Sequence, residues 1–363
     1  MGSGIFSKYS IRSTTFRNRL WVSPMCQYAV DREDGVPTDW HLVHLGSFAR
    51  GGAGLVMTEA TGVTAEGRIS AEDTGLYTDA QREAWARIVA FIHSQGAHAG
   101  IQLAHAGRKG STWREWGDRK GTRPVGQGGW QTVAPSAVPF ATLDVPRELS
   151  VDEIADTVAA FAAAARRAMA AGFDVVEVHA AHGYLIHQFL SPLSNTRTDG
   201  YGGSLQNRAR LLVEIVSAVR SAVGESVPVL VRLSATDWAP EGENGWDPEQ
   251  TVTVARWAAD AGADLFDISS GGILGRVEIP LGPGYQVHLA EYVRQHASVP
   301  VSAVGMITDA DQADAIIVEG RADAVMMGRA LLRNPHFPLL AAHELGVAID
   351  YFPRIYHRGA WRD

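Results

Sequence analysis

Along this chain, short runs of apolar and β-branched residues alternate with longer stretches whose apolar positions recur at helical spacing. The short runs predict strands at 20–25, 54–60, 99–104, 174–180, 229–234, 265–269, 301–304 and 324–327. Ala-rich amphipathic stretches between them predict helices at 80–95, 151–171, 207–223, 248–261, 286–296 and 309–319. Residues 39–50 supply the helix after the first strand, and 331–345 the helix after the last. Gly172-Phe173, Val227-Pro228, Ala261-Gly262 and Val299-Pro300 mark turns into strands. This alternation predicts an α/β fold, a parallel (β/α)8 TIM barrel, with an open doubly wound sheet carrying extra strands as the alternative.

The length of 363 residues fits one barrel domain over 1–363. Its longest interruption, 107–149, follows the third strand and holds Trp113, Trp116, Trp130 and four prolines. Long loops in compact domains are functional or disordered, and the aromatic content here predicts an ordered insertion capping the barrel mouth. The C-terminal tail, 346–363, carries Tyr351, Phe352, Tyr356, Arg358 and Trp361. Frayed termini are polar, so this one is expected to dock, either on its own barrel or on a neighbour.

Barrels of this class gather their chemistry where the strands end, because the βα loops converge there. Cys26 and Tyr28 follow the first strand, Gln102 and His105 close the third, and His179 and His182 close the fourth. Arg232 closes the fifth and Arg329 follows the eighth. The segment from Val178 to Pro192 is the densest, with His179, His182 and Tyr184 in close succession. Imidazole N–H groups can donate to an oxygen that gains negative charge during reaction. A tyrosine, with a reference pKa of about 10, can act as a general acid. The same residues could instead hydrogen-bond one another to order a loop, and His179, His182 and His187 together would suit zinc.

Arg232 and Gln102 are polar residues inside apolar runs. A buried Arg needs an anionic or strongly accepting partner, and an interior carboxylate such as Glu177 or Glu59 could serve. Gly305 after the seventh strand and Gly328 after the eighth would let backbone N–H groups approach a phosphate, although plain turns account for them equally. Arg329, opening a helix where a cation is disfavoured, tips this towards phosphate. No Gly-x-Gly-x-x-Gly run follows a strand, so a dinucleotide-binding unit is not expected.

A net charge of −8 without a long basic block argues against a nucleic-acid partner. Apolar stretches fall short of the roughly 20 residues that span a bilayer, so no membrane is expected. Cys26 is the lone cysteine, which excludes an internal disulfide. The start lacks an apolar signal core and has Phe6 where a myristoylation signal has Ser or Thr, so a cytoplasmic location is expected.

The run from His179 to Arg208 resembles the most distinctive stretch of the old yellow enzymes. The resemblance extends over nearly the whole chain, through Ser23-Pro24-Met25-Cys26-Gln27-Tyr28, Glu59-Ala60-Thr61, Gly67-Arg68-Ile69-Ser70, the segment from Gln102 to Lys109, and Gly328 to Pro335. It implies FMN as cofactor, NADPH or NADH as reductant, and ping-pong reduction of the activated C=C bond of a small α,β-unsaturated carbonyl, imide or nitro compound. It also implies that His179 and His182 bind the activating oxygen, which needs no metal, and that Tyr184 donates a proton. Tyr28 and Lys109 would border the substrate. Gln102 and Arg232 would bind the flavin edge, while Ser23, Pro24, Met25 and Ala60 let the ring lie close to the strand ends. Gly305, Gly328 and Arg329 would take the phosphate.

Cys26 resembles the thermophilic-like subclass, where a thiol adjusts the flavin's redox behaviour. In that subclass a C-terminal Arg-Gly-Trp reaches a neighbouring subunit's site. Here Ala360 intervenes between Gly359 and Trp361. Arg358 is the expected reaching residue, with Trp361 or Arg362 as alternatives, in a homodimer or homotetramer joined through the tail. The rival classes are a flavin-free phosphate-binding barrel, such as an aldolase or isomerase, disfavoured because no strand-end Lys for a Schiff base occurs outside Lys109, and a non-enzymatic FMN carrier, disfavoured by the polar cluster.

Overall fold

A computed structural model describes residues 4–361. Eight parallel strands close a barrel: β1 (Leu20–Val22), β2 (Leu55–Gly62), β3 (His98–Ala104), β4 (Val175–Ala180), β5 (Val229–Ser234), β6 (Leu265–Ser269), β7 (Val301–Ala303) and β8 (Ala324–Met327). Neighbours pair in chain order, and β8 returns to β1 through Val325–Leu20, Met326–Trp21 and Met327–Val22. The major helices are α1 (Asp39–Arg50), α2 (Asp79–Ser94), α3 (Val151–Ala171), α4 (Leu205–Val223), α5 (Pro248–Asp260), α6 (Val287–Ala297) and α7 (Ala310–Val318). The barrel is therefore closed, and the open-sheet alternative is excluded.

Burial on both faces explains the strand sequences. Parallel strands covered by helices outside and side chains inside read as nearly continuous apolar runs, and every residue of β2, β4, β5 and β6 is buried. Helix starts are set by side-chain caps, which satisfy backbone N–H groups left free in the first turn. Thr78 accepts from Gln81, Ser150 from Glu153 and Asp247 from Gln250, the last just before Pro248. Inside the barrel's N-terminal end, Trp21, Leu55, Met57, Val175, Leu230, Leu265 and Met326 form an apolar floor. A hairpin of Tyr9–Ile11 with Thr14–Phe16 closes it from below, Phe16 lying 4.7 Å from the Trp21 ring.

Two local expectations are corrected, and one element is added. The first strand stops at Val22 rather than 25, because the N–H-less Pro24 cannot continue a ladder. The last helical stretch is two helices, Arg329–Arg333 and Phe337–Glu344, because Pro335 interrupts it. The N-terminal hairpin was hidden, its strands being too short for a period to show.

The insertion is ordered and caps the mouth. Arg123 meets Glu33 at 2.9 Å, Arg114 meets Asp31 at 2.7 Å, and the Trp116 indole donates to the Gln27 carbonyl at 2.9 Å, tying it to the loop after β1. The tail docks on its own chain: Asn18 donates to the Tyr351 hydroxyl at 3.0 Å, and Trp361 stacks on His343 with centroids 5.1 Å apart. Ile355 within it stays 91% exposed, so part of its apolar surface has no cover in one chain.

Candidate active site

β4 ends in His179-Ala180, and the chain then turns through His182 and Gly183, both left-handed with φ of 57° and 71°. Gly183 is needed because a Cβ there would meet the Gly272 carbonyl oxygen at 2.0 Å. Left-handed backbone at the non-glycine His182 is a conformation that persists where surroundings enforce it. Its N–H donates to the Ser234 hydroxyl at 2.9 Å, and the Lys109 ammonium donates to its carbonyl at 2.8 Å. The turn brings the His179 and Tyr184 rings to 5.0 Å and the His179 and His182 rings to 5.2 Å. Nε2 of His179 and Nδ1 of His182 converge to 3.4 Å. Two nitrogens and a phenol thus meet at one spot.

The local electrostatics keep this group neutral. Burial first, then Arg232, lowers both imidazoles well below their usual range. Burial, followed by Cys26 and Asp73, raises the Tyr184 phenol well above its own, so it keeps its proton. Lys109 lies 4.9 Å above the Tyr184 ring and 4.5 Å from that of Phe140. Burial, with help from Arg108, pushes its amine down to about 8. Gln188 fixes the spacing, donating to the carbonyls of Ala106 and Gly183 while accepting from the Arg108 N–H.

Opposite, the loop after β1 carries Met25, Cys26 and Tyr28. It is held by Glu59, which accepts from the Gln27 N–H at 3.0 Å and faces Nε2 of His41 at 3.0 Å. Glu59 reaches there from the register shift in β2 between Met57 and Ala60. Burial, then Asp73 and Glu59, raises the Cys26 thiol well above its usual value, so it stands as a thiol and not a thiolate. Tyr28 is raised by burial and then by the neighbouring Cys26 and Tyr184.

Beneath the histidines lies a polar layer built by strand register. Gln102 pairs with Glu177, His179 with Arg232, Arg232 with Asp267, and Asp267 with Ser302. Nε of Arg232 meets the Asp267 carboxylate at 2.8 Å, and its Nη2 donates to the Ser23 hydroxyl at 3.2 Å. Gln102 donates to Glu177 at 2.6 Å. An interior carboxylate does pair with Arg232, but it is Asp267 rather than Glu177 or Glu59. Burial pushes the Glu177 and Asp267 carboxyls up, Asp267 adding to the shift of Glu177 and Arg232 opposing both.

Between the ends of β6, β7 and β8 is a cavity of about 390 Å³ bordered by Arg232, Ser269, Gln286, Gly305, Gly328 and Arg329. Arg333 also borders it. Among the described residues, neither Arg329 nor Arg333 has a carboxylate within ion-pair distance. Gly305 has φ of 121°, and a Cβ there would sit 2.9 Å from the Gln286 amide nitrogen.

The model of the NADH:flavin oxidoreductase / NADH oxidase family matches residues 4–347. The chain belongs to this family. It is 46% identical over 347 residues to an NADPH dehydrogenase of Bacillus cytotoxicus, covering 95% of this chain and 94% of the relative. An old yellow enzyme homologue from Zymomonas mobilis superposes with a TM-score of 0.78 at 31% identity, covering 95% of this chain and 94% of that one. A 2-naphthoyl-CoA reductase gives a TM-score of 0.84 at 28% identity, and this chain spans 52% of its length. The protein is an FMN-dependent oxidoreductase of the old yellow enzyme type, with a reduced nicotinamide as its electron donor.

The residues of this old yellow enzyme-type chain fit FMN. Two guanidinium groups without carboxylates beside a glycine-lined cavity suit a phosphate. A cationic Arg232 next to Gln102 suits a ring edge that becomes electron-rich on reduction. The structure brings together His179, His182, Tyr184 and Lys109, and, separately, Gly305, Gly328 and Arg329. Arg358 is not among them: it is exposed, on a groove with His336, Leu339 and Trp361, and Arg362 lies outside the described residues. His187 is held apart from the pair, accepting from the Gly183 N–H at 2.9 Å and facing Asp237 at 3.1 Å. It therefore makes no trio with His179 and His182.

Ser234, Asp267, Ser269 and Gln286 join the site in the folded chain, none of them being among the residues expected there. The sixth strand ends at Ser269 and runs into Ser270-Gly271-Gly272, a polar strand end of the kind that singled out the others.

Proposed function

We propose that the protein reduces the activated C=C bond of α,β-unsaturated aldehydes, ketones, imides or nitro compounds, with NADPH and the alkene using one site in turn. The observation that carries this reading is the convergence of two neutral imidazoles and a protonated phenol on one spot. The NADPH dehydrogenase of Bacillus cytotoxicus supports NADPH as the donor. FMN, when bound, supplies hydride storage between the two substrates.

The protein's own groups supply the rest. His179 and His182 donate hydrogen bonds to the activating oxygen, and these strengthen as charge accumulates there. Tyr184 gives its proton to the α-carbon. Tyr28 and Lys109 border the substrate. Ser23, Pro24, Met25, Ala60, Gln102 and Arg232 hold the ring, and Gly305, Gly328 and Arg329 hold the phosphate. Initial rates with NADPH and an enone varied together should give parallel double-reciprocal lines. Intersecting lines would overturn the shared-site reading.

His179→Ala and His182→Ala should each weaken binding of phenol ligands, whose oxygen imitates the charged product oxygen. A lost hydrogen bond to a charged group corresponds to about 10- to 100-fold in affinity. Because both imidazoles are lowered well below the usual value, the wild-type affinity should follow the phenol's own ionisation. No step should appear near the ordinary imidazole pKa of about 6.5. Titration of the flavin absorbance across pH measures both.

We propose that the Cys26 thiol tunes the flavin, as the resemblance to the thermophilic-like subclass implies. Cys26→Ala should stay folded and yellow with a shifted flavin reduction potential, read by dye equilibration; an unchanged potential would remove it from that role.

The tail supplies an assembly surface, since Ile355 is 91% exposed and Trp361 45%. Arg358→Ala should keep FMN and alter the Michaelis constants, and truncation after Pro353 should also loosen the oligomer. Unchanged mass in solution together with unchanged kinetics would confine the tail to its own barrel.

A further inference from the structure

His182 touches a residue for which the proposed reaction has no use so far. Its Nε2 lies 2.7 Å from the Ser269 hydroxyl at the end of β6, and its Nδ1 lies 3.4 Å from Nε2 of His179. A neutral imidazole has one N–H and one lone pair, so the partner of one ring nitrogen decides what the other presents.

The tautomer of His179 is set by its own turn. Nδ1 accepts the Ala181 N–H at 3.3 Å, which leaves the proton on Nε2, facing His182. Two arrangements then remain. If His182 carries its proton on Nε2, it donates to Ser269, and its bare Nδ1 accepts from His179. The pair then closes on itself and offers an incoming oxygen no free donor. If Ser269 donates instead, His182 carries its proton on Nδ1, and two N–H groups point at one place. That arrangement is matched by an oxygen bearing negative charge.

The distances around Ser269 favour the second arrangement. Besides His182, its hydroxyl has one further acceptor nearby, the Gln286 side-chain oxygen, at 3.4 Å. That oxygen, which has two lone pairs, takes its short hydrogen bond from Ser270 at 2.6 Å, and the Gln286 amide nitrogen donates to the Val304 carbonyl at 3.1 Å. Nε2 of His182, at 2.7 Å against 3.4 Å for the Gln286 oxygen, is the shorter acceptor for the Ser269 proton. Ser269 is buried, 4% exposed, at the edge of the cavity between the ends of β6, β7 and β8.

We propose that Ser269 is a positioning residue: by donating to Nε2 of His182 it fixes the Nδ1–H tautomer and turns the histidine pair into a two-donor site for an anionic oxygen. The inference rests on the reading of His179 and His182 as oxygen-binding donors. Its direct prediction concerns the ring itself.

Nitrogen NMR of the FMN-loaded protein labelled with 15N-histidine reads the tautomer, the His182 signals being those lost in His182→Gln. The wild type should show a protonated Nδ1 and a bare Nε2. Ser269→Ala should move the proton to Nε2 and weaken phenolate binding by about 10- to 100-fold, the loss of one charge-assisted donor. Ser269→Thr, which keeps the hydroxyl, should restore both. A wild-type ring protonated on Nε2 overturns the proposal without requiring any variant to fold, as does a Ser269→Ala protein with unchanged tautomer and affinity. A correct tautomer in a protein that binds no phenolate would instead count against the oxygen-binding reading and leave the assignment of Ser269 standing.

Discussion

Tyr184→Phe is expected to slow reoxidation of the reduced enzyme by an enone by about 10²–10⁴-fold, the usual value of a general acid. Reduction by NADPH should proceed at the wild-type rate, because that half-reaction takes no proton from this residue. The asymmetry follows from the site. The phenol is buried and raised well above its usual pKa, so it holds a proton at neutral pH and beyond. Its ring lies edge-on to His179 at 5.0 Å, which ties the proton donor to the oxygen-binding pair. Phe keeps that ring contact and removes only the hydroxyl. Stopped-flow of the two half-reactions separates the roles, and equal slowing of both would remove Tyr184 from proton donation.

Arg232→Ala should cost about 3–5 kcal/mol of stability, because it leaves a buried carboxylate without its cation. Asp267 is buried in the barrel and meets Arg232 at 2.8 Å, with the Ser302 hydroxyl at 2.9 Å as its other partner. Burial already raises the Asp267 and Glu177 carboxyls while Arg232 holds them down. Without the guanidinium both should rise further. The folded state then binds more protons than the unfolded state above the ordinary carboxylate range, so the variant loses stability as pH rises through that window. Urea unfolding should show a larger deficit at pH 8 than at pH 5, and the protein should retain flavin poorly. A deficit independent of pH would mean that the Arg232 charge does not govern these carboxyls.

The sequence made the barrel legible because burial on both faces of a parallel strand leaves a short, dense apolar run, and because Thr, Ser and Asp caps mark where helices begin. What escaped was short or interrupted: the three-residue hairpin strands at Tyr9–Ile11 and Thr14–Phe16, and the break at Pro335. In the site, His179, His182 and Tyr184 were readable because they sit within one turn of chain. Asp267 was not, because its partner is 35 residues away and becomes a neighbour only through the β5–β6 register. Ser269 was hidden for another reason. A serine at a strand end has no chemistry of its own until the His182 ring is placed against it.

The proposed function requires that reduced flavin pass its electrons to an activated alkene in this site. The measurement is anaerobic: protein reduced with one equivalent of NADPH is mixed with cyclohexenone while the flavin absorbance is followed and the product is analysed. Oxidised-flavin absorbance should return at a rate that rises with enone concentration, and cyclohexanone should appear in the amount of flavin reoxidised. Flavin that stays reduced in the presence of the enone, and reoxidises on admission of air, would contradict the proposed function.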